Sequence, residues 1–180
     1  MLQNNSTYRV LQAFFDEPLR KFYLRQLSRE ISLSQPAVMN HLHHLVQERL
    51  IVRDNDALYP TYRANREEKK FCILKMHNLL LRLEETNVLQ TIYDIALPDA
   101  IVLFGSCVLG EDVEESDIDL FILAPEKKLH LKKYEKLLKR KISLFFCKDF
   151  GKLSEELKNN IVNGIVLRGY LRIYDTNNTK

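Results

Sequence analysis

Apolar residues recur at helical spacing through Tyr8, Val10, Leu11, Phe14 and Phe15, and Pro18 closes that run. Leu24, Leu27 and Ile31 mark a second, short helix, and Val38, Leu42 and Leu45 a third. Ser32-Leu33-Ser34 reads as the turn between them, with Ser34 as N-cap and Pro36 in the first turn, where its missing N–H costs no helical bond. The period then changes. Leu50-Ile51-Val52-Arg53, a polar turn at Asp54-Asn55-Asp56, and Leu58 to Arg63 read as a β-hairpin. Residues 66–97 lack internal Gly and Pro and predict one long helix or two consecutive ones. Leu79, Leu80, Leu81 and Leu83 are apolar around most of the circumference, so this stretch is expected to be buried, against a second domain or a twin subunit.

Beyond residue 100 the runs shorten. Ile101 to Phe104 is a buried strand stopped by Gly105, and a second strand runs from Ser116 to Leu123. Residues 126–141, EKKLHLKKYEKLLKRK, predict an amphipathic crossover helix leading to a third strand, Lys141 to Cys147. The fold class is therefore α+β: helices and a hairpin first, then a mixed β-sheet with flanking helices. Boundaries fall at 1–65, a helical connector at 66–84, and 85–180.

Composition narrows the classes. No stretch approaches a membrane span and the N-terminus lacks a signal-peptide core, so a soluble, cytoplasmic chain is expected. Cys72, Cys107 and Cys147 are odd in number and far apart, which indicates neither a disulfide framework nor a zinc site. The net charge of +3 lies wholly in residues 1–66, where nine Lys or Arg oppose six Asp or Glu, while the remainder carries eighteen of each. An acidic partner for the N-terminal part follows. The tail TNNTK is expected to fray.

The chemistry concentrates in residues 101–123. Gly105 permits close backbone approach to a ligand, and the turn's N–H groups with the Ser106 hydroxyl can donate to phosphate oxygens. Alternation sends Asp117 and Asp119 to one strand face and Ile118 and Leu120 to the other. Two carboxylates about 7 Å apart along the strand can converge on one hard cation, whose other positions take water and phosphates. The bland alternative is a wet strand face, yet aspartate is a poor strand former among such apolar neighbours.

Gly105-Ser106, ten residues, then Asp117-Ile118-Asp119 resembles the signature of the minimal nucleotidyltransferases of the DNA polymerase beta superfamily. The resemblance covers about residues 85–170, including LSEELKNNIVNGIVLRG, which is similar to the family's last helix and strand. It implies transfer of a nucleoside monophosphate from a nucleoside triphosphate, ATP above all, to a hydroxyl, with Mg²⁺ or Mn²⁺ as cofactor. By that resemblance Gly105 and Ser106 hold the triphosphate, Asp117 and Asp119 bind metal, and Asp117, Asp119 and Ser106 form the catalytic set. Two departures stand out. The family's third carboxylate, on a later strand, is matched here by Ser143, and Cys107, Val108 and Leu109 follow the turn where arginines are common. Asp149 lies six residues of strand farther on, about 20 Å, and cannot reach the same metal.

The segment FYLRQLSREISLSQPAVMNHLHHLVQERLIVRDNDALYPTYRAN resembles the winged helix-turn-helix of transcription regulators, over about residues 7–65. Turning Val38, Leu42 and Leu45 inward points Pro36, Asn40, His43, His44 and Gln47 outward. With Gln35 they form the candidate DNA face, and Arg53 and Arg63 on the hairpin lie near the DNA backbone. His41, His43 and His44 offer no zinc set, since no Cys or carboxylate lies at ligand spacing. Three functions follow as expectations: a DNA-binding nucleotidyltransferase, a transcription regulator with a catalytically weakened nucleotide sensor, and an antitoxin-like partner of a toxin-like protein. A homodimer through the connector is expected in each.

Overall fold

A computed structural model of the chain describes residues 5–55 and 58–172. It divides into two compact units, Met1–Asn78 with Gly110–Glu114, and Leu79–Leu109 with Glu115–Lys180. The change of unit falls within a helix, with no linker between.

In the first unit, helices α1 (Ser6–Asp16), α2 (Leu24–Glu30) and α3 (Gln35–Gln47) precede a hairpin of β2 (Ile51–Asp54) and β3 (Thr61–Ala64). Asn5 caps α1 by accepting from the Thr7 and Tyr8 amides, and Ser34 caps α3 by accepting from the Ala37 amide. These short polar side chains satisfy amides that a helix start leaves unpaired. The apolar stripes converge as their spacing requires: Val10, Phe14, Leu27, Val38, Leu42, Leu45 and Ile51 are buried in one cluster. The Asp54-Asn55-Asp56 turn is described as far as Asn55; Asp56 and the TNNTK tail lie outside the described residues. A third strand, β1 (Phe22–Tyr23), pairs antiparallel with β3 and was not foreseen, because two residues carry no alternation.

The segment Gly110–Glu114 completes this unit, docked by specific bonds. Lys75 Nζ lies 2.8 Å from Asp112 Oδ1, with both side chains nearly inaccessible to solvent. The same ammonium also donates to the Asp112 carbonyl. Gly110 has φ +69, and a Cβ there would stand 2.1 Å from the Cys72 carbonyl oxygen, so the close approach requires glycine.

The connector resolves into α4 (Lys69–Glu85) and α5 (Val88–Ala96), separated by Asn87 in a left-handed conformation. Leu83 is fully buried and Leu79 and Leu80 pack against the second unit's core, whereas Leu81 is exposed rather than buried. The second unit is a four-stranded mixed sheet in the order β6-β5-β4-β7, with β4 (Ala100–Phe104), β5 (Ile118–Leu123), β6 (Ile142–Cys147) and β7 (Ile165–Gly169). Strands β5 and β6 are parallel and the other pairings antiparallel. Ile101, Leu103, Ile118, Leu120 and Ile122 join Val88, Leu89 and Ile92 of α5 in one core. Val102, Phe104 and Phe121 form another with Ile161 of α8 (Glu155–Val162). The central strands are thus covered on both faces, which explains their nearly unbroken apolar runs.

The crossover helix is shorter than its sequence pattern implied, at Lys132–Leu138, here α7. Leu129 and Leu131 are spaced by two, not by helical period, and Lys139 in a left-handed conformation ends the helix. Leu137, one of the leucines of that stretch, is exposed. Among the described residues, no helix is long and apolar enough to cross a membrane.

Candidate active site

Strand β4 delivers the chain to Gly105 with every residue buried, and φ +77 at Gly105 turns it sharply into α6 (Ser106–Leu109). The antiparallel register places Phe104 opposite Asp119. Asp119 therefore comes up beside the turn. A Cβ on residue 105 would lie 2.8 Å from Asp119 Oδ2, so this glycine serves both the turn and the space its carboxylate occupies. Gly105 and Ser106 are exposed, and Asp117 and Asp119 half-buried.

Asp117 precedes β5 by one residue, so the strand is shorter at this end than its alternation suggested. Its carboxylate lies near enough to act on Asp119. Burial first, and then the Asp117 charge, push the Asp119 carboxyl above its ordinary value, against a smaller opposing effect of Arg140. Among the described residues, the Asp119 side chain accepts no hydrogen bond. A pair of carboxylates in mutual repulsion, one without a donor, is a donor set suited to a hard divalent cation. No group of three or more His, Cys, Asp or Glu is gathered for a metal among the described residues, so two protein carboxylates are the available set.

Ser143 stands where the third acid was sought. Register pairs it with Asp119 across the parallel β5–β6 ladder, and its hydroxyl donates to Asp117 Oδ2 at 2.9 Å. It thus orients one carboxylate and adds no charge. Asp149 is employed elsewhere, accepting from the Gly151 amide at the start of a short 3₁₀ turn.

Arg140 was missed by sequence reasoning. It donates from Nε to the Ser116 carbonyl at 2.6 Å and from Nη2 to Cys107 Sγ at 3.8 Å. It therefore joins the residue before Asp117 to the helix after the Gly-Ser turn. A signal existed: Arg140 is the one arginine among seven lysines in residues 126–141. The forked guanidinium makes several directed bonds where a lysine makes a point contact.

The residues proposed for DNA form a separate set in the first unit. Gln35, Pro36, Asn40, His43 and His44 are exposed along α3, as is Arg53 on β2. Arg63 on β3 is exposed but donates from Nε to Asp54 Oδ2 at 3.2 Å. Lys21, 3.1 Å from the same oxygen, and then Arg63 hold the Asp54 carboxyl below its ordinary value. His41 is absorbed into the fold, its Nδ1 2.9 Å from Thr7 Oγ1.

Residues 86–167, running from the start of α5 into β7, match the family model of the nucleotidyltransferase domain. The match covers the Gly-Ser turn, both aspartates, Ser143 and Arg140, and supports nucleotidyl transfer as the general chemistry of this segment. No curated protein and no solved structure matches the chain.

Proposed function

We propose that the second unit binds a nucleoside triphosphate with Mg²⁺ or Mn²⁺ and transfers its nucleoside monophosphate to a hydroxyl acceptor. The observation that carries this reading is the Asp117–Asp119 pair, in which Asp119 lies against Gly105 with its carboxyl pushed above its ordinary value, by burial first and then by the Asp117 charge. Asp117 and Asp119 are the residues to hold the cation, and Gly105 and Ser106 to cradle the phosphates with backbone N–H groups and a hydroxyl. The bound cation would neutralise the triphosphate and the charge that develops as pyrophosphate leaves. In the transfer, the acceptor oxygen forms a bond to the α-phosphorus, the bond to pyrophosphate breaks, and the hydroxyl proton passes to solvent. Ser143 holds Asp117 in position, and Arg140 ties the backbone carbonyl before Asp117 to Cys107 of the helix after the Gly-Ser turn.

The test is incubation with labelled ATP, Mg²⁺ and host lysate. Label should appear on an acceptor and disappear in the Asp117→Ala, Asp119→Ala double variant. Failure of both transfer and Mg²⁺-dependent ATP binding sinks the reading. Ser143 favours a second one, a sensor that binds nucleotide without turnover, because a neutral hydroxyl on Asp117 cannot serve as a base. Mg²⁺-dependent binding without transfer is its signature.

The first unit is proposed as a winged helix-turn-helix that binds DNA, with α3 as the recognition helix and β2–β3 as the wing. The support is the exposed polar face of α3 and the net positive charge of this region. Binding to the protein's own promoter region should fall steeply with salt. Unchanged affinity in an Asn40→Ala, His44→Ala variant would reject this face.

A further inference from the structure

The first unit contains a cleft of about 620 Å³ that the nucleotide chemistry proposed for the second unit does not use. Gln35, Met39 and His43, spaced four residues apart, put one face of α3 along it, and Tyr23, Arg25, Arg53 and Tyr59 close the remaining sides. This volume lies within the range of small-molecule sites, about 300–1,000 Å³.

The lining has a specific chemistry. Tyr23 and Tyr59 are 46% and 68% exposed and line the cleft, where their aromatic faces can take a stacked ring. Beneath them, Tyr62 is buried and its hydroxyl donates to Met39 Sδ, so the floor is soft and apolar. Two cations border the cleft. Among the described residues, neither Arg25 nor Arg53 is engaged in a hydrogen bond or ion pair. The neighbouring acid, Asp54, is directed to Lys21 and Arg63, and no Asp or Glu lines the cleft. Aromatic walls, a polarizable floor and two uncommitted guanidiniums without an opposing acid complement a flat ring system that carries negative charge.

We propose that this cleft is a binding site for a small planar aromatic anion of one to three rings. The ring lies against Tyr23 and Tyr59, and the anionic group takes hydrogen bonds from Arg25 and Arg53. The inference stands apart from the nucleotide reading. It bears on the DNA reading in one respect: Gln35, His43 and Arg53 belong to both surfaces, so ligand and DNA compete for them.

The probe is 1-naphthoate, titrated into the full chain without Mg²⁺ and followed by calorimetry. Its neutral amide and cyclohexanecarboxylate serve as controls for charge and planarity. Saturable one-to-one binding of naphthoate is expected, about tenfold tighter than either control. Arg25→Ala and Arg53→Ala should each weaken it about tenfold, as should Tyr59→Ala. All three residues are exposed, so circular dichroism should show the variants folded. The Asp117→Ala, Asp119→Ala variant should bind naphthoate unchanged. The proposal is overturned by an absence of saturable binding below about 1 mM, by equal affinity for the amide, or by full affinity in an Arg25→Ala, Arg53→Ala double variant. Loss of binding in the aspartate variant also overturns it, since the probe would then occupy the other unit.

Discussion

Asp112 and Asp119 are seven residues apart in the chain and belong to different units, and they meet burial in opposite ways. Asp112 is buried with its carboxylate 2.8 Å from the Lys75 ammonium. Asp119 is half-buried beside another carboxylate, and burial first, then that charge, raise its proton affinity. A buried charge with a matched partner is a structural element, costly to break and close to neutral when both partners are replaced by apolar groups. A like-charged pair carries a repulsion that a bound proton or a bound cation relieves. What faces each acid is the reason Asp119, and not Asp112, is assigned to the proposed site.

The largest effect should fall on the structural pair. Lys75→Met leaves Asp112 buried without the Lys75 ammonium and should cost about 3–5 kcal/mol, a fall of at least about 12 °C in the melting of the first unit. The Lys75→Met, Asp112→Leu double variant should recover most of that loss; if it melts as low as the single one, the cost is not one of an orphaned charge. Next in size is Gly105→Ala. A methyl 2.8 Å from Asp119 Oδ2, on a backbone at φ +77, displaces the carboxylate and should weaken Mg²⁺-dependent ATP binding about tenfold, read by calorimetry. Unchanged binding would remove Asp119 from the site.

Ser143→Asp supplies a third carboxylate beside Asp117 and should enlarge the thermal stabilisation conferred by Mg²⁺ by roughly 0.5–1 kcal/mol. A stabilisation no larger than the parent's would place Ser143 outside the metal's reach. The smallest effect has the opposite sign to the first. Asp119 holds its proton to a higher pH when folded than when unfolded, so it subtracts stability as pH rises through the ordinary aspartate range to its folded value, and the loss is complete above. Asp119→Asn should therefore raise the metal-free melting temperature at pH 7 by on the order of 1 °C, with the gain vanishing in acid. Since a cation and a proton compete for this carboxylate, Mg²⁺-dependent ATP binding should strengthen with pH over the same interval and then level off.

Periodicity and caps made much of the fold legible. The Val38, Leu42 and Leu45 stripe with Ser34 and Pro36 located α3, and the apolar run ended by Gly105 located β4. Alternation also placed Asp119 opposite Ile118 and Leu120, as the two cores on either side of the sheet require. What stayed hidden depends on partners distant in sequence. Lys75 reads as one more charge on a helix until a loop 37 residues later brings Asp112 to it. Arg140 sits in a lysine run that looks like a solvated face, and only folding brings it to Ser116 and Cys107. Strand β1 owes its existence to β3 rather than to any pattern of its own.

The division of the chain into Met1–Asn78 with Gly110–Glu114, against Leu79–Leu109 with Glu115–Lys180, makes the two units interleaved along the gene. A single recombination crossover cannot exchange either of them whole. A fragment ending at Asn78 forfeits the five residues that hold Asp112, and one beginning at Leu79 retains them severed from the helix that Lys75 occupies. Inheritance of this architecture is therefore all or nothing: a domain shuffled out at position 78 would carry the buried Lys75 ammonium without Asp112, and its new host would have to furnish an acid in the same place.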